Sequence, residues 1–185
     1  MHAFSVDVTI DKPREEIYRY LLDIANHAEF TDHYLVDWHL TREDPVGVGA
    51  GARFRAKAPL HRFSWGDVTI TEAESPRRIV EQGRGGKFNR IRTLGVYELE
   101  PTGGGTKVTY TFQNVAKTPT DRVMQSFGAK SWLKRKNAKA LRRLKSILEE
   151  DLDRGTRPTI AGGGRKVDGG YQFDASRVAG DVADV

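Results

Sequence analysis

The chain contains no cysteine. That absence excludes disulfide staples, thiolate nucleophiles and cysteine-ligated zinc or iron–sulfur centres together, and it fits a reducing compartment. Long apolar runs are missing too: mean hydropathy is −0.57, and no stretch approaches the roughly 18 apolar residues a spanning helix needs. The opening MHAFSVDVTIDKP lacks the basic segment, apolar core and small-residue cleavage site of a secretion signal, so the sequence predicts a cytoplasmic protein. No internal repeat is present. His27 and His33 are six positions apart, which misses the i, i+4 spacing that puts two metal ligands on one helix face. Ser64 and Ser126 sit in no nucleophile elbow.

Two glycine-rich phrases resemble nucleotide loops only in their letters. GVGAGA at residues 47–52 is followed by RFRAKA, which reads as a strand, whereas a dinucleotide fingerprint must run into a helix whose amides face pyrophosphate. GRGGK at 83–87 lacks the distal glycine and hydroxyl of a phosphate loop. Both are read as turns or loops, and the sequence predicts no cofactor and no metal.

What is present suits one globular domain with an extension: 185 residues, 38% hydrophobic and 30% charged. Phe4, Val6, Val8 and Ile10 alternate with polar neighbours and predict a first strand. Asp11 as cap, Pro13 in the opening turn, and Glu15 and Glu16 near the positive end of the dipole predict a helix, with Ile17, Tyr18, Leu21 and Leu22 facing inward. A second short helical piece covers about Asn26 to Tyr34. The period then becomes two, with strand character near Leu35 to Arg42, Ala52 to Ala58, Arg62 to Glu72, Arg78 to Gln82, Arg90 to Glu100 and Thr106 to Val115. Six strands in succession imply an antiparallel meander, and PTGGG supplies its clearest hairpin turn.

A long amphipathic helix follows, from about Thr120 to Leu152. At roughly 100° per residue, Val123, Ser126, Leu133, Asn137, Ala140, Leu141, Leu144 and Leu148 share one face, with Lys130 among them. Its length suits a helix lying across a curved sheet, and the polar interruptions mark where the covered space is not solid core. Much of the net charge of +5 gathers on the same helix, from Lys130 through Lys145. That run reads as a solvated outer face or as a contact for phosphate on RNA or an anionic lipid surface. From Gly155 onward the periodic apolar pattern ends, so the sequence predicts a domain over residues 1–154 and a flexible Gly-rich tail over 155–185.

The order of elements, together with PREEIYRYLLDIANHAEF, PVGVGAGARFRAK, ESPRRIVEQ and YELEPTGGGTKVTYTF, resembles the START-like superfamily, also called SRPBCC or helix-grip proteins. The resemblance covers about Ala3 to Leu152 and is nearest to the polyketide cyclase/dehydrase and lipid-transport group. It implies an α+β helix-grip fold: a curved antiparallel seven-stranded sheet wrapped around a long C-terminal helix, with two short helices after the first strand. It also implies an internal cavity for a hydrophobic or amphipathic small molecule, lipid-like or polyketide-like. Candidate ligand-binding residues are Asn137, Lys130, Phe30, His33, Trp65, Tyr97, Tyr110 and Leu133: Asn137 as a hydrogen-bonding group, Lys130 as a partner for an anionic group at the entrance, the aromatics as lining. No catalytic residue transfers from the family. The alternatives are a cyclase- or dehydratase-type enzyme using a cavity His or Asp as acid and base, drawn from His27, His33, His39 and His61 with Asp32 or Asp37 and favoured by a buried His33 or Asp32, and an RNA- or membrane-contacting module using the basic helix. No DNA partner is expected, and any contact of the basic helix with an anionic surface is expected to be weak.

Overall fold

In the computed structural model, described for residues 3–57, 64–116, 129–152, 155–162 and 164–166, the period-two segments form a single seven-stranded antiparallel sheet. Its strands are β1 (Phe4–Ile10), β2 (Leu35–Leu40), β3 (Gly51–Ala56), β4 (Trp65–Glu74), β5 (Arg78–Gly85), β6 (Ile91–Thr102) and β7 (Gly105–Ala116). The spatial order is β1-β7-β6-β5-β4-β3-β2. The meander therefore runs edge to edge, and the first strand closes onto the last. The β6–β7 turn requires glycine at position 105. Its φ is +129°, and a Cβ there would lie 2.1 Å from the carbonyl oxygen of Ile10.

Between β1 and β2 come α1 (Arg14–Leu22), a turn of 3-10 helix (Ile24–Asn26) and α2 (His27–Thr31). The start of α1 differs from the sequence expectation. Pro13 takes the capping position with ψ 142° and no side-chain cap is made, while the Asp11 amide donates to Glu149 Oε1 at 2.5 Å. Proline loses nothing there, because the first amides of a helix have no intrahelical partner.

The long helix, α3, is described over Ala129–Glu150. Residues 117–128 lie outside the described set, and with them Val123 and Ser126 of the predicted stripe; His61 does likewise. Within α3 the stripe holds: Asn137, Ala140, Leu141, Leu144, Ile147 and Leu148 are buried. The helix packs on β1 and α2, and its inner face joins Ile10, Ile17, Leu21 and Val108 in one core. Among the described residues, no helix is long and apolar enough to cross a membrane.

A further hairpin pairs β8 (Thr156–Pro158) with β9 (Gly164–Lys166), in a segment the sequence assigns to the flexible tail. Arg157 reaches back to Asp23 and Asn26, Gly155 donates its amide to Glu29 O at 3.1 Å, and the Leu40 amide donates to Thr159 O at 3.2 Å. Three residues per strand are too few to leave a periodic signature in the sequence.

Candidate functional site: an apolar cavity with buried polar groups

Where α3 passes over the concave face of the sheet, side chains do not fill the space. A cavity of about 660 Å³ remains, within the range of small-molecule sites. Phe54, Val68, Phe112, Leu133, Ala140 and Leu141 contribute apolar wall. Trp38 stacks on Phe54 with ring centroids 4.9 Å apart. Six of the eight residues proposed from sequence line the cavity: Phe30, Trp65, Tyr97, Tyr110, Leu133 and Asn137. Trp65 is 39% exposed, with the Arg53 guanidinium 5.1 Å from its ring centroid.

His33 and Lys130 lie outside the lining. The His33 ring donates from Nε2 to Lys136 O at 3.2 Å, and its Nδ1 lies 3.4 Å from the Arg143 guanidinium. Arg143 is in turn paired with Asp32, and neither His33 nor Asp32 lines the cavity, whereas His27, another of the imidazoles read from the sequence, does. Burial pushes the pKa of His33 down, and Arg143, Lys139 and Lys136 add to that shift. Lys130 is exposed. It precedes Asn137 by two helical turns, about 10 Å along the axis, so its stem leaves the covered stripe and its amine reaches water. Trp132 sits about 100° round α3 from Leu133 and still lines the cavity, with its ring edge-on to Tyr34 at 6.1 Å. The space covered near the start of α3 is wider than one apolar stripe.

Two pairs of buried polar groups border the cavity beneath α3 and α2. Tyr34 Oη donates to Asn137 Oδ1 at 2.9 Å, and Asn137 Nδ2 donates to Leu133 O at 3.0 Å. Asn137 thus lines the cavity and has protein partners as well. Beside this pair lies a buried ion pair that neither motif nor spacing picks out. His27 Nδ1 is 3.0 Å from Glu81 Oε1, with the two side chains only 4% and 6% exposed. Oε1 makes no aligned hydrogen bond, so the contact is chiefly electrostatic, which depends on separation more than on angle. The opposite ring nitrogen, Nε2, lies 2.7 Å from Leu21 O, and because a carbonyl only accepts, Nε2 carries a hydrogen. Burial works against protonating His27, but the Glu81 charge and the contacts with Glu81 and Leu21 outweigh it, and the net shift is upward. The hydroxyls of Tyr97 and Tyr110, which also line the cavity, have pKa values raised by burial first and by Glu81 second. They remain protonated.

Strand register explains this clustering. Glu81 pairs with Gly95 and Gly95 with Phe112; one row along, Ile79 pairs with Tyr97 and Tyr97 with Tyr110. Alternation from buried Ile79 carries Glu81 to the same face. A carboxylate at an inward strand position is therefore the sequence signal that could have found it, whereas the His27 contact depends on how α2 settles over the sheet. Among the described residues, no group of three His, Asp or Glu side chains could hold a metal ion.

Comparison with known proteins places this geometry in a wider set. The family model described as "Polyketide cyclase / dehydrase and lipid transport" matches residues 1–149. The chain is similar in structure to TTHA0849 from Thermus thermophilus, with 16% identity, 82% of this chain and 99% of that one covered, and a TM-score of 0.61. It is similar to the KanY protein at 15% identity, 80% and 97% coverage and a TM-score of 0.64. A third similar structure is DynU16, from the dynemicin biosynthetic locus, at 16% identity and a TM-score of 0.56, over 83% of this chain and 49% of that one. No curated protein matches the sequence significantly.

Proposed function

From the premise that the chain belongs to the polyketide cyclase/dehydrase and lipid transport family, we propose that it binds or carries a hydrophobic or amphipathic small molecule between sheet and C-terminal helix. One observation carries this reading: the cavity of about 660 Å³ is walled mainly by apolar and aromatic side chains, with a few buried polar groups among them. An apolar body would be drawn in by release of water from its surface, and the polar groups in the lining would fix which way round it lies. Native mass spectrometry of protein purified from its own host tests the reading. A bound small molecule is expected, released on unfolding, together with saturable binding of a neutral apolar dye that the released molecule displaces. Failure to bind the dye saturably, with no co-purified molecule, would overturn it.

A second reading is an enzyme that uses the cavity for acid–base chemistry on such a molecule, and the buried His27–Glu81 pair favours it. Incubating the co-purified molecule with protein and following its mass separates the two. A carrier returns it unchanged, while a dehydratase returns it lighter by one water.

A further inference from the structure

The cavity meets the surface at one end of the sheet. Trp65 lines it and is itself exposed, and Gly85 and Ile91, the residues that flank the β5–β6 loop, line it beside Trp65. The opposite end is closed by Ile10, Ile79, Leu99 and Val108, all buried. At the open end the β5–β6 loop carries Phe88, 80% exposed, in a left-handed turn with φ +58° at Phe88 and +53° at Asn89. That conformation is costly for a bulky residue, and here it sets an apolar ring out in water. Val115, at the neighbouring end of β7, is exposed as well. Cations surround these apolar groups. The Arg90 guanidinium lies 5.8 Å from the Phe88 ring centroid. Arg84 and Arg92 stand directly opposite each other across β5 and β6, where like charges repel; both are exposed, and neither guanidinium has an acidic partner among the described residues. Lys130 and Lys134 are exposed on the first turns of α3, where Ala129 and Trp132 line the same cavity. The acids on the open half of β2 and β4 are engaged, Asp37 with Arg55 and Asp67 with the Arg84 amide. Exposed carboxylates gather at the other end: Glu72 and Glu74 close β4, and Glu98 and Glu100 lie on the far half of β6. Charge is thus separated along the sheet, and the positive end is the one that opens.

We propose that this end docks on an anionic lipid bilayer, with Phe88 entering the headgroup layer and the arginines facing lipid phosphates, so that the ligand passes between cavity and membrane. The inference rests on the small-molecule reading above and adds the surface at which the molecule is exchanged. An RNA or an acidic protein would satisfy the arginines, but neither calls for an apolar ring standing alone at a loop tip beside the mouth of an apolar cavity. A bilayer accepts both: the ring enters the apolar boundary, the arginine stems lie along it, and the guanidinium groups stay at headgroup level. The charge separation orients the approach, since the field of an anionic surface draws the positive end towards it and repels the other. An apolar molecule leaving at that end moves into lipid rather than into water, which removes the cost of exposing its surface.

Because the chain has no cysteine, Phe88→Cys and Gly103→Cys each accept one environment-sensitive fluorophore, the first at the open end and the second at the opposite β6–β7 turn, where a Cβ meets nothing within 4 Å. On phosphatidylcholine vesicles containing phosphatidylglycerol, the label at position 88 is expected to shift to the blue and the label at 103 to stay unchanged. The shift is expected to vanish on phosphatidylcholine alone and to weaken as salt rises. Flotation of unlabelled protein with the same vesicles gives the energetics. Arg92→Glu is expected to bind at least about fivefold more weakly, the factor that one cation near an anionic surface supplies, and Phe88→Ser several-fold more weakly. Arg77→Glu makes the same change of net charge in the turn between β4 and β5 at the far end, and is expected to bind as wild type does. Saturable binding of a neutral apolar dye in solution shows that each variant is folded. Equal shifts at positions 88 and 103, indifference to phosphatidylglycerol, or binding of polyuridylate or polyglutamate without binding of vesicles would overturn the docking surface and, with dye binding intact, leave the cavity reading standing. Failure of the wild type to bind the dye would overturn the cavity reading, on which the exchange rests.

Discussion

At the scale of single residues, the two buried polar pairs in the cavity have different energetics. Asn137 is held by Tyr34 and by its own helix, so Asn137→Leu strands the Tyr34 hydroxyl. The expected cost is about 1 to 3 kcal/mol, most of it recovered when Tyr34→Phe removes the other partner, since replacing both ends of a buried hydrogen bond is far less costly than removing one. Urea titration of the two single variants and the double checks this, and an Asn137→Leu variant as stable as wild type would show that the bond contributes nothing. The His27–Glu81 pair is expected to appear in the pH dependence of stability. The folded pKa of His27 is raised, so its contribution is complete below the unfolded value of about 6.5 and is lost as pH rises through the folded value. His33, whose pKa is lowered, acts in the opposite sense: its contribution is present above the unfolded value and is lost as pH falls through the folded one. The difference between wild type and His27→Gln cancels His33 and should shrink as pH rises; a difference independent of pH would mean that the pair is not charged.

At the scale of elements, what the sequence made legible is what repeats. Each strand of the meander was visible because one face is buried and the other is wet, as in Phe4–Ile10, where buried and more exposed positions largely alternate. The inner stripe of α3 was visible for the same reason at period 3.6. Contacts between elements leave no such trace. His27 meets Glu81 across 54 positions of sequence, and Trp132 turns inward only because the covered space widens near the start of α3. Of the eight proposed residues, the aromatics on strands border the cavity because alternation places them on its face, whereas Lys130 lies outside the lining because a helical wheel gives direction around an axis and not distance from the entrance, and His33 because its ring turns to Lys136 and Arg143. The same distinction predicts unequal effects along α3. Leu144 is fully buried in solid core, and Leu144→Ala is expected to cost about 2 to 5 kcal/mol through lost burial and a new void. Leu141 borders a cavity that already exists, so Leu141→Ala creates less new void and should fall at the low end of that range. Denaturant midpoints for the two variants give the order directly, and a larger loss at Leu141 would mean that the cavity wall is more tightly packed than the geometry indicates.

At the scale of the whole molecule, the question is where the folding unit ends. The sequence places the boundary at Arg154, because no periodic apolar face follows, yet the β8–β9 hairpin is tied to the 3-10 turn, α2 and β2 by groups that are partly buried. Arg157 serves both Asp23, whose side chain is 15% exposed, and Asn26, which is buried. Deleting the hairpin leaves those acceptors without their cation, while the cluster formed by the sheet and three helices stays complete. We therefore expect a chain ending at Arg154 to unfold cooperatively but with a loss of about 1 to 3 kcal/mol, the usual cost of leaving buried polar groups unmatched. The Arg157 ion pair itself contributes little of this, because its guanidinium is 38% exposed. Arg157→Ala in the full-length chain should reproduce part of the loss without any truncation. If the chain ending at Arg154 unfolded without cooperativity, the hairpin would belong to the core of the domain; if it were as stable as the full chain, the contacts to Asp23, Asn26 and Glu29 would carry no net stability, and the boundary read from the sequence would stand.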